Sequence, residues 1–185
     1  MRSITWLITL SWTVLLLAGC KGNEGKKNNR QSPLPGTIGE MDIPPIDETG
    51  YQALIEKRNG KILLVNFWAT WCAPCREEFP DLVKVANQYA TRGVEVVGIS
   101  ADMEEDVEDK VKPFLRKNKA GFSNFLKVVE DDGTFIDFVH RDWSGALPAT
   151  FVYDGSGRLH TWNVGKAGYD DFRKMLDEVL DKQAQ

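Results

Sequence analysis

Two hydrophobic rhythms alternate along most of this chain. Continuous apolar, β-branched runs at residues 62–67, 94–100 and 149–153 read as buried strands. Elsewhere apolar residues recur at intervals of three and four. Tyr51, Leu54 and Ile55 predict a short helix, with Thr49-Gly50-Tyr51-Gln52 as its capping box and Gly60 as its stop. A longer helix beginning near Ala73 turns Leu82, Val83, Val85, Ala86 and Tyr89 inward and stops near Gly93. Pro80 inside it should introduce a kink. Val107, Val111, Phe114 and Leu115 mark one face of a helix within residues 102–119, bent or divided at Pro113. Its acidic start and basic finish suit the helix dipole. A short strand is expected at residues 125–129 and a turn at Asp131-Asp132-Gly133. The spacing of Phe135, Ile136, Phe138 and Val139 favours a short helix over a strand. Residues 149–153 and 158–163 flank Asp154-Gly155-Ser156-Gly157 as an antiparallel hairpin. Phe172, Leu176, Val179 and Leu180 line a closing amphipathic helix over residues 169–180. Strand, helix, strand at the start implies a parallel, right-handed βαβ unit. The fold class is therefore α/β, a central mixed sheet flanked by helices on both faces.

The N-terminal pattern is different. One positive charge, Arg2, precedes an apolar run over residues 6–17, which reads as a signal-peptide core. It is too short for a confident membrane span, which needs roughly 20 apolar residues. The run ends in Leu17-Ala18-Gly19-Cys20, which resembles the bacterial lipobox. The resemblance implies cleavage before Cys20, lipidation of Cys20, and a protein held on the extracytoplasmic side of a membrane in the bacterial cell envelope. An ordinary secretory signal with an incidental cysteine is the other reading. The following residues, to about 40, are polar and rich in Gly, Asn, Lys and Pro, so they cannot bury enough apolar surface to fold. As a flexible tether they would reach about 25 Å. The expected organisation is a signal peptide at 1–19, a lipid-anchored tether at 20–40 and one folded domain at 41–185.

Composition changes this picture little. With 42% hydrophobic and 27% charged residues, a full-sized core is available. A net charge of −4 spread along the chain leaves no basic stripe for nucleic acid. The cysteines do more. There are three, and with Cys20 assigned to lipid, Cys72 and Cys75 remain as a pair.

A CxxC between a buried strand and a helix has a specific chemical use. Cys72 falls at the helix N-terminus, where unpaired N–H groups and the dipole favour a thiolate. Cys75 lies one turn inward, close enough to close a small disulfide ring. The competing reading is half a zinc site. Zinc needs four ligands, and the two histidines, His140 and His160, are not in ligand spacing. Thiol exchange is therefore expected, with no metal.

Residues 66–80 (NFWATWCAPCREEFP) and 146–159 (ALPATFVYDGSGRL), together with the element order, resemble the thioredoxin fold. More specifically they resemble the TlpA/ResA-type extracytoplasmic thiol–disulfide oxidoreductases, over about residues 40–182. That resemblance implies a membrane-anchored enzyme, a monomer, that reduces disulfides of extracytoplasmic proteins such as apocytochrome c. It implies no cofactor beyond a redox-active Cys72–Cys75 disulfide, re-reduced by a membrane thiol–disulfide electron donor. It makes Leu147–Pro148 a cis bond facing the cysteines, with Leu147, Pro148, Trp71 and Pro74 at the substrate surface. One position departs from cytoplasmic thioredoxins: Asn66 stands where they carry a buried Asp. In the ResA-type branch a glutamate takes that role, and the matching residue is Glu78, at i+3 from Cys75. Without the resemblance Glu78 reads as a solvated helix residue, like its neighbour Glu77. Phe67 reads as core and Trp68 as packing around the site, while Trp143 and Trp162 read as structural or surface. Two alternative functions keep the same fold or dithiol: a peroxidase, and a Cu(I)-handling or copper-site maturation protein.

Overall fold

The computed structural model describes residues 41–183. The signal segment, Cys20 and the tether expected from the sequence lie outside the described residues. Within them the chain forms β1 (Pro45–Ile46), α1 (Glu48–Glu56), β2 (Ile62–Trp68), α2 (Ala73–Tyr89), β3 (Val94–Ser100), α3 (Lys112–Asn118), β4 (Ser123–Lys127), α4 (Asp132–Val139), β5 (Ala149–Tyr153), β6 (Leu159–Val164) and α5 (Tyr169–Gln183). The strands make one sheet in the order β1-β4-β3-β2-β5-β6. β1, β4, β3 and β2 pair in parallel, and β5 and β6 run antiparallel beside them.

The central strand explains the two-sided packing. Every residue of β2 is buried, as a strand covered on both faces requires. Successive side chains point to opposite faces. Ile62, Leu64 and Trp68 join Phe79, Leu82, Leu115, Phe172 and Leu176 in one core, under α2, α3 and α5. Leu63, Val65 and Phe67 join Tyr51, Phe135 and Phe151 in the other, which α1 and α4 cover. The same parity puts Asn66 on the α2 side.

α2 runs as one helix through Pro80 to Tyr89. A proline in a helix interior costs about 3 kcal/mol. Full burial of Phe79, Leu82 and Val85 contributes about 1.5–3 kcal/mol each, so packing outweighs the proline. A 3-10 turn, Ala90–Arg92, and Gly93 at φ 78° then end the helix where expected.

Several local expectations are corrected. The N-cap of α1 is Asp47, not Thr49: its carboxylate accepts the Gly50 N–H at 2.7 Å. The helix also ends at Glu56, with Lys57 as its C-cap, and Asn59 and Gly60 take positive φ in the turn that follows. Residues 102–119 form three pieces rather than one helix. A 3-10 turn (Glu104–Asp106) and a π turn (Val107–Val111) precede α3, and Pro113 lies in the first turn of α3, where its missing N–H is harmless. β4 sits two residues earlier than predicted, set by its parallel register with β3, which pairs Val97 with Ser123. Asp131 is not in a turn but caps α4, accepting the Thr134 N–H at 2.7 Å.

Candidate active site

The site is built where β2 ends and α2 begins. Cys72 is the N-cap of α2, and its sulfur accepts the Cys75 N–H at 3.2 Å. Pro74 occupies the first turn, where its fixed φ suits a helix start. Cys72 and Cys75 are joined by a disulfide, S–S 2.02 Å. Cys72 is 6% exposed and Cys75 is fully buried, so an incoming sulfur can reach only the first.

The short loop ahead of Cys72 is fixed from β3. The Ala101 N–H donates to the Trp68 carbonyl at 2.8 Å. Buried Asp102 accepts the Thr70 N–H at 2.9 Å, the Thr70 hydroxyl, and the Ser100 hydroxyl at 2.6 Å. Arg76 Nη1 closes the loop on its outer side by donating to the Thr70 carbonyl at 2.8 Å. Sequence reading missed Asp102 and Thr70, because they meet only when β3 pairs with β2.

The second predicted stretch arrives at the same end of the sheet. Ala149 pairs with Phe67, so Leu147 and Pro148 extend past β5 to the end from which Trp68 leads to Cys72. The Leu147–Pro148 bond is cis, as the resemblance implies. The Pro148 carbonyl accepts the Gly165 N–H at 2.8 Å. Beside it lies a groove of about 430 Å³ lined by Phe67, Trp71, Met103, Ile136, Trp143 and Leu147. Trp71 is 63% and Met103 67% exposed. Trp143 proves structural: it is buried, packs on Phe67 with ring centroids 4.7 Å apart, and donates to the Ala146 carbonyl at 3.0 Å. Met103 carried no sequence signal.

Glu78 is not a solvated helix residue. It is 1% exposed, while Glu77 is exposed and pairs with Lys166 at 2.8 Å. Glu78 Oε1 accepts from Asn66 Nδ2 and Oε2 from the Ala167 N–H, each at 2.8 Å. Asn66 Nδ2 also donates to Thr150 Oγ1 at 3.0 Å. Burial pushes the Glu78 carboxyl up to about 7, against the pull of the Ala167 and Asn66 hydrogen bonds and the Lys166 charge. Ala167 escaped sequence reading because only its backbone takes part.

Comparison with known proteins agrees with this geometry. Residues 41–161 match the AhpC/TSA family. The chain is 31% identical over 175 residues to the thiol:disulfide interchange protein HelX of Rhodobacter capsulatus, covering 90% of this chain and 92% of that one. It is 29% identical over 133 residues to the thiol-disulfide oxidoreductase ResA of Bacillus cereus, covering 72% of each. Among solved structures, a thioredoxin-family thiol:disulfide interchange protein from Chlorobium tepidum superposes with a TM-score of 0.57 at 30% identity, over 67% of this chain and 83% of that one.

Proposed function

The chain belongs to the AhpC/TSA family as a TlpA/ResA-type thiol–disulfide oxidoreductase, and from that premise we propose that it is a membrane-anchored reductase of extracytoplasmic protein disulfides. The reduced enzyme starts with two thiols. The Cys72 thiolate attacks one sulfur of the substrate disulfide, forming a mixed disulfide and expelling the other substrate sulfur as a thiolate. Cys75 then gives its proton to Glu78 and attacks the Cys72 sulfur. The second substrate thiolate leaves, and the Cys72–Cys75 disulfide forms. Two electrons pass to the substrate, and a membrane dithiol donor must return two to the enzyme. The observation that carries this reading is the pairing of a helix-capping, reachable Cys72 with a fully buried Cys75.

The direction follows from charge. A strong oxidant stabilises its reduced form, chiefly as a thiolate. Here a buried carboxylate one helical turn from Cys75 opposes thiolate formation and favours giving electrons away. The resemblance to ResA-type proteins extends the proposed substrates to apocytochrome c thiols held as disulfides. Leu147, Pro148, Trp71 and Pro74 form the proposed docking surface, where an extended substrate segment pairs with backbone. The direct Cys72–Cys75 bond favours exchange over a peroxidase, which keeps its resolving partner elsewhere, and over Cu(I) handling. Lipid on Cys20 would hold the domain near the membrane bearing its electron donor.

Trapping tests the reading. Cys75→Ser, expressed in cells, should accumulate proteins disulfide-bonded to Cys72 that a reductant releases and that Cys72→Ser abolishes. Absence of such adducts overturns the exchange mechanism. A measured potential near the oxidising extreme, about −120 mV, overturns the reductase direction.

A further inference from the structure

The buried carboxylate has an unusual set of partners. Two donors converge on Glu78, Asn66 Nδ2 and the Ala167 N–H. Both hydrogen bonds to its carboxyl oxygens come from donors. That arrangement fits a carboxylate. It does not fit a carboxylic acid, whose new O–H would be left unpaired in the core, and an unpaired buried donor is costly. Yet the proposed reaction requires Glu78 to take a proton and return it.

We propose that Asn66, hydrogen-bonded to Thr150, is the positioning residue that lets Glu78 change protonation without leaving its hydroxyl unpaired. This rests on the reading of Glu78 as the proton acceptor for Cys75. A side-chain amide carries a donor end and an acceptor end of nearly equal size. In the structure the nitrogen faces both Glu78 and Thr150, and buried Oδ1 has no partner. Rotating the amide by half a turn would present Oδ1 to both. It would then accept the Glu78 O–H and the Thr150 O–H, since a threonine hydroxyl donates or accepts as required. One amide end stays unpaired in either state, so the rotation spares the acid hydroxyl at no added cost in unpaired groups. An aspartate at position 66 could not do this, because it offers no N–H donor and would contest the proton with Glu78.

The surroundings leave the task to this pair. Asn66 of β2 and Thr150 of β5, both uncharged, stand opposite each other in register. Lys166, ahead of α5, bears on Glu78 with its charge and is itself paired with Glu77 of α2. α2 supplies Cys72 and Cys75, which are uncharged while bonded to each other. Among these groups the unpartnered Asn66 Oδ1 is the acceptor that a turn of one side chain would bring to the acid hydroxyl.

The test is a cycle of Asn66→Leu and Glu78→Gln in the full-length protein, read as single-turnover release of a fluorescent thiol from a peptide disulfide across pH. Asn66→Leu should slow the resolving step about tenfold near neutrality and move its midpoint upward, since both states lose a partner and the bond lost to the charged carboxylate is the stronger. In the Glu78→Gln background the same change should cost nothing further. An equal loss in both backgrounds would make Asn66 a packing residue and overturn the proposal. An unchanged profile in Glu78→Gln alone would instead remove Glu78 from the mechanism, and the proposal with it. Should Asn66→Leu fail to fold, NMR of the wild-type oxidised protein decides. The Asn66 side-chain amide should titrate with the same midpoint as the Glu78 carboxyl carbon, and an amide that does not move through that titration overturns the proposal.

Discussion

Asp102 receives the Thr70 N–H at 2.9 Å and the Thr70 hydroxyl as well, so the residue just beyond β3 holds the loop two residues ahead of Cys72. The carboxylate is buried and also takes the Ser100 hydroxyl. Asp102→Ala would strand these donors, at about 1–3 kcal/mol in total stability. It should also free Trp71 and Cys72 to move, slowing thiol exchange. Urea denaturation and the rate of reduction of a model disulfide check both effects. A variant with wild-type stability and rate would show that the loop holds itself.

Trp71 should behave in the opposite way. It is largely exposed at the edge of the groove, so little apolar area is lost to the core when it is removed. Trp71→Ala should leave the unfolding midpoint within about 0.5 kcal/mol of wild type. It should raise KM several-fold for a protein disulfide and leave a small-molecule disulfide unaffected. Equal losses on both substrates would mean that Trp71 shapes Cys72 rather than the docking surface.

Glu78 makes stability depend on pH with a definite sign. Its folded pKa, about 7, lies above the ordinary carboxyl value of 4.5. Between those values the folded state binds more protons than the unfolded one, so stability falls as pH rises through the window. This one contribution is fully present below pH 4.5 and gone above about 7. The span corresponds to roughly 3 kcal/mol. Denaturation of the oxidised protein across pH should show this slope, and Glu78→Gln should lose it and be the more stable protein above pH 7. Parallel curves for the two proteins would mean that the carboxyl titrates normally.

How much of this was legible in the sequence depends on how local the cause was. The runs at 94–100 and 149–153 match β3 and β5, and α2 starts at Ala73 as predicted, because a buried strand or a cysteine at a helix start leaves a local signature. The choice of helix over strand for Phe135 to Val139 rested on four residues and held. The cap at Asp47 was missed because Thr49 offered an equally good local motif, and only packing decides between them. The site divides the same way. Cys72, Cys75 and Pro148 could be placed from two short stretches. The environment of Glu78 could not, since its partners lie 12 and 89 residues away. Asn66 alone is legible from local pattern: counting alternate residues along β2 puts it with Leu64 and Trp68, on the side α2 covers.

The last prediction concerns the surface above that carboxylate. Consecutive glutamates of α2 grip the same loop: Glu77 pairs with Lys166 outside, and Glu78 takes the Ala167 N–H inside. An exposed pair of this kind contributes at most about 1 kcal/mol, so Lys166→Ala should barely change stability. The Lys166 charge nevertheless holds the Glu78 carboxyl lower than burial alone would. Removing it should move the Glu78 midpoint upward, seen in the pH profile of the resolving step. Raising salt in the wild type should do the same in part, because an exposed charge is screened within about 10 Å at 0.1 M ionic strength. If Lys166→Ala shifts the midpoint while salt does not, the loop acts through position rather than charge. If neither shifts it, burial and the two buried donors set the proton affinity of Glu78 without Lys166.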